Sequence, residues 1–123
     1  MSRAPFMPAR RPATVAKQAR ARIARIREAL GRIDYLCSGT LLERTKMCGR
    51  PGCACAQDPA ARHGPYFEWG YMRAGKLVHR QVSAQHAAVL RRAINNYRMA
   101  RELLRDWEVE TERLIDAEQN RQA

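Results

Sequence analysis

MCGRPGCACAQDPAARHGPY, residues 47–66, decides the reading of this chain. It holds three of the four cysteines, Cys48, Cys53 and Cys55, followed by His63. Thiolate sulfur and imidazole nitrogen are the usual ligands of a structural zinc ion, and four of them close a tetrahedron. Gly49, Pro51, Gly52 and Pro59 lie between the candidate ligands, and such residues make the tight turns that a short loop needs to wrap one ion. The spacing Cys-x4-Cys-x-Cys-x7-His is not the common Cys-x2-Cys pair. Two cysteines one residue apart sit awkwardly on one tetrahedron, so Cys37 is a candidate to replace one of them. The plain alternative is three free thiols and a surface histidine, but Arg50 and Gln57 make the segment too polar for core packing. Disulfides fit less well, because no secretory leader is visible and cytosolic thiols stay reduced. The expectation is a Zn2+ knuckle that clips a small sheet together.

Strand patterns flank the knuckle on both sides. TLLERTK, residues 40–46, alternates Thr40, Leu42, Arg44 and Lys46 against Leu41, Glu43 and Thr45. Beyond His63-Gly64-Pro65, YFEWGYMR (66–73) places Phe67, Trp69, Tyr71 and Arg73 on one face. Ala74-Gly75 makes a tight turn into KLVHRQV (76–82), with Lys76, Val78, Arg80 and Val82 on one face. A three-stranded antiparallel meander follows, its first and second strands joined by the metal loop.

Helices are expected at both ends. From an N-cap at Thr14 to about Leu36, Val15, Ala19, Ile23, Ile26, Leu30 and Ile33 form a narrow apolar seam, with Gly31 weakening the last turn. Ser83 suits the N-cap of a long helix over about 84–119. Its seam is Leu90, Ala93, Tyr97, Ala100, Leu104, Trp107, Thr111 and Leu114. A helix of that length spans roughly 50 Å, more than a small sheet covers. Its far half needs another helix, either the first one folding back or the same helix of a second copy. The fold class is therefore α+β, one small domain of 123 residues. It comprises a disordered basic arm (1–13), a basic amphipathic helix (14–37), a zinc-knuckle meander (38–82) and a long, coiled-coil-like assembly helix (83–123).

Charge is uneven along the chain. Residues 1–37 carry nine Lys or Arg against two acids, residues 38–82 seven against three, and residues 83–123 seven against seven, which accounts for the net +11. A basic front and a balanced tail suit a polyanionic partner at one end and assembly at the other. Double-stranded DNA is the expected partner, contacted mainly through its phosphates. The candidate contacts are Arg10, Arg11, Lys17, Arg20, Arg25, Arg44, Lys46, Arg50, Arg73, Lys76 and Arg80. Trp69 and Tyr71 are more simply core beneath the last helix than base contacts. RNA or single-stranded binding through the same residues, or a scaffold that bridges partners, are the competing classes. A membrane partner is disfavoured, since there is no apolar run of about 18 residues and the basic helix lacks aromatic anchors. Enzyme readings are weak: no acid is positioned to orient a Cys or His nucleophile, and four ligands leave a metal no open position. Thiol redox sensing through the leftover Cys37 is a minor alternative, and His79 and His86 read as ordinary surface or packing residues. The expected setting is cytoplasmic and nucleoid-associated.

The order of several short motifs resembles a family of small uncharacterised bacterial and archaeal proteins often encoded near transposases or recombinases. The residues that carry the resemblance are Gly39-Thr40-Leu41, Cys48-Gly49-Arg50-Pro51-Gly52-Cys53-Ala54-Cys55, His63-Gly64-Pro65-Tyr66, Gly75-Lys76 and Asn96-Tyr97-Arg98. They span about residues 38–105. The resemblance implies a mobile-element setting, with a transposase or recombinase as partner, and no particular activity. The first helix and its arginine arm lie outside it and rest on charge alone.

Overall fold

A computed structural model describes residues 11–122. Helix α1 spans Pro12–Gly31, strand β1 Thr40–Lys46, strand β2 His63–Arg73, strand β3 Lys76–Val82 and helix α2 Ala84–Gln122. The architecture is α+β, as the patterns predict. Residues form two units, one made of Asp34–Met99 and the other of the chain before Asp34 together with α2 from Ala100 onward.

In the Asp34–Met99 unit the strands pair antiparallel in the order β1-β2-β3. Arg73 faces Lys76 across the two-residue turn Ala74-Gly75, and the register runs from there to Phe67 opposite Val82. On the other side Thr40 pairs with Gly70 and Arg44 with Tyr66, after which the register shifts and Lys46 pairs with His63. This last pair is why β2 begins at His63 rather than at Tyr66, where the local pattern places it. The face bearing Phe67, Trp69 and Tyr71 is the buried one, with Phe67 and Tyr71 below a tenth exposed. The Trp69 and Tyr71 rings lie 4.0 Å apart, and the Arg91 guanidinium of α2 sits 5.4 Å from the Phe67 ring centre. Phe67 and Tyr71 are core, Trp69 is half-buried beside Tyr71, and on α2 Ala87, Ala93 and Ile94 are buried as well. The opposite face is open: Leu42, Met72 and Leu77 are exposed.

Ser83 caps α2 as expected, its hydroxyl accepting from the His86 N–H at 3.1 Å. The approach to β1 is fastened to the same helix. Asp34 accepts from Arg92 at 2.8 Å and from the Asn96 amide at 3.2 Å, and Asn96 also donates to the Tyr35 carbonyl at 2.9 Å. Asn96 of the Asn-Tyr-Arg motif is thus a fastening residue. Gly39 has φ of 113°, and a Cβ there would meet the Gly70 carbonyl oxygen at 2.2 Å, so only glycine fits where β1 starts.

In the second unit α1 starts two residues before the expected Thr14, with Arg11 in the capping position and Pro12 in the first turn, where proline's missing N–H costs nothing. It ends at Gly31, five residues short of the expected Leu36. The helix lies antiparallel to the later part of α2: Arg20 pairs with Glu118 at 2.7 Å and Arg22 with Glu110 at 3.5 Å. Ala16, Ala19 and Ile26 are buried on α1, and Ala100, Glu110 and Ala117 on α2. The expected α2 seam is corrected at Leu104, which is half exposed, and Glu110 enters the buried stripe instead. Arg22 and Arg113 offset its charge, while one carboxylate oxygen has no partner among the described residues. No helix among the described residues is long and apolar enough to cross a membrane. The expected disordered arm falls on residues 1–10, outside the described residues, apart from Arg11 to Ala13 at the start of α1.

Candidate metal centre

The Lys46–His63 pair delivers the centre. It sets the first residue of β2 beside the segment leaving β1, where Cys48 lies two residues on. The chain between them must turn back on itself within a few residues. The Cys53 N–H bonds the Arg50 carbonyl at 3.2 Å around Pro51-Gly52, and a 3-10 turn spans Ala54–Ala56. A second 3-10 turn, Pro59–Ala61, is capped by Asp58, which accepts from the Ala60 N–H at 3.0 Å. Gly64 has φ of 128°, and a Cβ there would lie 2.9 Å from the Arg44 carbonyl oxygen. His-Gly-Pro-Tyr therefore needs its glycine to bring His63 in.

The result is a cluster in which the donor atoms of Cys48, Cys53, Cys55 and His63 all lie within 4.8 Å of one another. The Cys48 and Cys55 sulfurs are 3.5 Å apart, and the Cys53 sulfur is 3.3 Å from His63 Nε2. A tetrahedron with Zn–S of about 2.3 Å and Zn–N of about 2.0–2.1 Å has edges of about 3.5–3.8 Å, so these four groups could hold a metal ion. The awkwardness of Cys53-Ala-Cys55 is resolved by the 3-10 turn, which begins after an extended Cys53 and carries Cys55 into a buried position. Cys37 is not part of the cluster. It stands on the segment before β1, its backbone N–H bonded to Ala93 at 3.3 Å, and partial burial pushes its thiol up. Around the cluster, the Cys55 N–H and the neighbouring Cys55 and Cys48 thiols lower the Cys53 thiol. The Cys48 N–H donates to the Cys55 sulfur at 3.4 Å. This set makes one thiolate easy to form, which is the first step of binding a cation.

The expected cationic residues fall into several groups. Arg10 lies outside the described residues. Arg11, Lys17, Arg20 and Arg25 are exposed on or before α1, with Arg20 paired to Glu118. Arg44 and Lys46 belong to the open sheet face, Arg44 at 3.9 Å from Glu68 and Lys46 over the Tyr66 ring at 5.2 Å. Arg50 stands on the metal loop and is exposed. Arg73, Lys76 and Arg80 share by register the face of Phe67, Trp69 and Tyr71, and Arg73 lies 5.2 Å from the Tyr71 ring centre. The strand cations are therefore divided between the two faces of the sheet.

Two features escape a reading of the sequence. Glu68 on the open face takes His79 at 3.0 Å, so His79 has a partner rather than being incidental surface. Tyr66 lines two neighbouring concavities, one beside the metal cluster and one on the open sheet face. Its place directly after His-Gly-Pro was the available signal.

A family model described as a domain of unknown function, DUF6788, matches residues 16–92, taking in most of α1, the sheet, the metal loop and the start of α2. No curated protein and no solved structure matches the chain.

Proposed function

We propose, for a chain that belongs to the DUF6788 family, a zinc-stabilised DNA-binding accessory protein that acts with a transposase or recombinase of a mobile element. The ion is zinc, because three thiolates and one imidazole in tetrahedral reach are a closed structural set for it. When bound, the ion cross-links the loop and holds β1 against β2. The chain's own cations then bind the phosphate backbone, and released counterions supply most of the affinity. The mobile-element setting rests on the motif resemblance alone.

The observation that carries the reading is the placement of charge. α1 bears Lys17, Arg20, Arg22, Arg25 and Arg27 against the single acid Glu28, and Lys17, Arg25 and Arg27 are exposed. Arg44, Lys46 and Arg50 add exposed cations around the metal loop. A solvated coiled-coil surface normally alternates its charges, and this one does not. Leu104, Val109 and Ile115, exposed on the later part of α2, favour pairing of two copies through the helices.

Fluorescence anisotropy with a short duplex tests the proposal. Neutralising four phosphates gives a slope of about −3.6 in log affinity against log salt, a loss of roughly a hundredfold between about 50 and about 200 mM. Absence of binding at the low-salt end ends the proposal.

A further inference from the structure

The zinc centre accounts for only a corner of the hollow it sits in. An open concavity of about 720 Å³ is lined by Cys48, Arg50, Gly52, Cys53, His63 and Tyr66. Its volume falls in the range of small-molecule sites, about 300–1,000 Å³, and far exceeds what one ion among four ligands occupies. Tyr66 also lines a second concavity of about 160 Å³ on the open sheet face, shared with Arg44 and Lys46. The two hollows therefore adjoin at one aromatic ring, with Arg50 beside one and Arg44 and Lys46 beside the other. A cation-flanked aromatic is the arrangement that seats a single nucleotide: the ring takes the base face and the cations take the phosphates.

We infer that these adjoining concavities seat one unpaired nucleotide of a bound DNA strand, its base against Tyr66 and its flanking phosphates against Arg50 and Lys46. This rests on the DNA reading above and narrows it to DNA with an extrahelical or single-stranded nucleotide. The physical reason is steric. In an intact duplex each base face is covered by its neighbours, so Tyr66 has no base face to meet until a base leaves the stack. Gly52 supports the same point from the chain's side. A Cβ there would touch nothing within 4 Å, so the wall at Gly52 is open space rather than a close approach that demands glycine. Gly52 lines the larger hollow, so a leucine there tests whether that space is used, with zinc content as the control on the adjoining ligand Cys53.

The experiment uses the full chain with its zinc content verified. Three probes are compared by anisotropy: a short duplex, the same duplex carrying one unpaired 2-aminopurine nucleotide, and the RNA counterpart of that bulged probe. The bulged DNA is expected to bind roughly fivefold to a hundredfold more tightly than the intact duplex, the range that one base–aromatic stack supplies. Stacking on Tyr66 quenches the 2-aminopurine fluorescence on binding. Tyr66→Phe keeps the preference and the quench. Tyr66→Ala and Gly52→Leu abolish both, with zinc content and circular dichroism showing that each variant is folded. Equal affinity for intact and bulged duplex overturns the inference while leaving the DNA reading in place, and so does a preference that survives both Tyr66→Ala and Gly52→Leu. Tighter binding of the RNA bulge than of the DNA bulge overturns the assignment to DNA. Failure to bind any probe removes the DNA reading itself.

Discussion

Stripping the metal should melt the sheet unit and spare the helix pair. The four donor atoms lie within 4.8 Å of one another, and a zinc tetrahedron needs edges of about 3.5–3.8 Å, so the longest separation has to close by only about 1 Å. Structural zinc sites built from thiolates and imidazole fold as they bind, with an apparent binding free energy of about 10–16 kcal/mol at neutral pH. Whole domains are stable by about 5–15 kcal/mol. The Asp34–Met99 unit is at the weak end of that range, since its buried apolar side chains are Phe67, Tyr71, Ile94, Cys55 and two alanines. Removing the ion thus costs as much as the unit has. Chelation, or Cys55→Ser in its buried position, is expected to abolish the near-ultraviolet dichroism of the stacked Trp69 and Tyr71. Much of the helical far-ultraviolet signal should remain, because none of the four ligands belongs to the helix-pair unit. Metal analysis should return one ion per chain in the wild type and in Cys37→Ser, and none in Cys55→Ser. Cobalt substitution should give thiolate charge-transfer bands. A stripped protein that keeps its near-ultraviolet spectrum and its melting point refutes this reasoning.

Gly39→Ala should destabilise the sheet unit by about 2–4 kcal/mol, combining the penalty for an L-residue at positive φ with the approach to the Gly70 carbonyl, and lower its melting point by roughly 10 °C or more; a melt within a couple of degrees of wild type contradicts it. Asp34→Asn should lower the melting point at neutral pH in a way that fades with acid. The Tyr35 N–H, then Arg92, hold the Asp34 carboxyl below its ordinary value of 3.8, so its contribution is complete above that value and is lost as pH falls through the depressed one. A deficit that stays constant far into the acid range would mean that Asp34 acts through packing and not through charge.

The parts of this fold legible in the sequence are those fixed by local sterics. β1 and β3 lie where the alternation places them, because Ser38-Gly39 and Ala74-Gly75 punctuate them and the period of two is set within each run. The four ligand candidates come together because a loop of that length with prolines and glycines has few ways to run. What could not be read depends on partners distant in the chain. β2 extends back to His63 only because Lys46 is there to pair with it. Glu110 sits in the helix seam with Arg113 at 2.7 Å one turn on and Arg22, 88 residues away, at 3.5 Å, and only the second of these partners is invisible to a local reading. The division of the strand cations between two faces was out of reach for a simpler reason. Alternation sorts residues within a strand, and only the register says which faces of neighbouring strands coincide.

The register also ties the two halves of the functional reading together. Lys46 pairs with His63, and Tyr66 lies three residues beyond that ligand and carries the Lys46 ammonium over its ring. Arg50 sits between Cys48 and Cys53 on the loop itself. Lys46 and Arg50 thus stand on the same stretch of chain as the four ligand candidates, whereas the cations on α1 belong to a unit that holds none of them. On the proposed DNA-binding function, two classes of phosphate contact are expected, one dependent on the ion and one not. Loss of zinc should leave the weak, salt-sensitive attraction that any arginine-rich helix exerts and remove whatever selectivity the sheet unit adds. On the function proposed above, the chain would hold nucleic acid loosely through α1 and discriminate through the sheet unit, and only the second property should be lost with the ion.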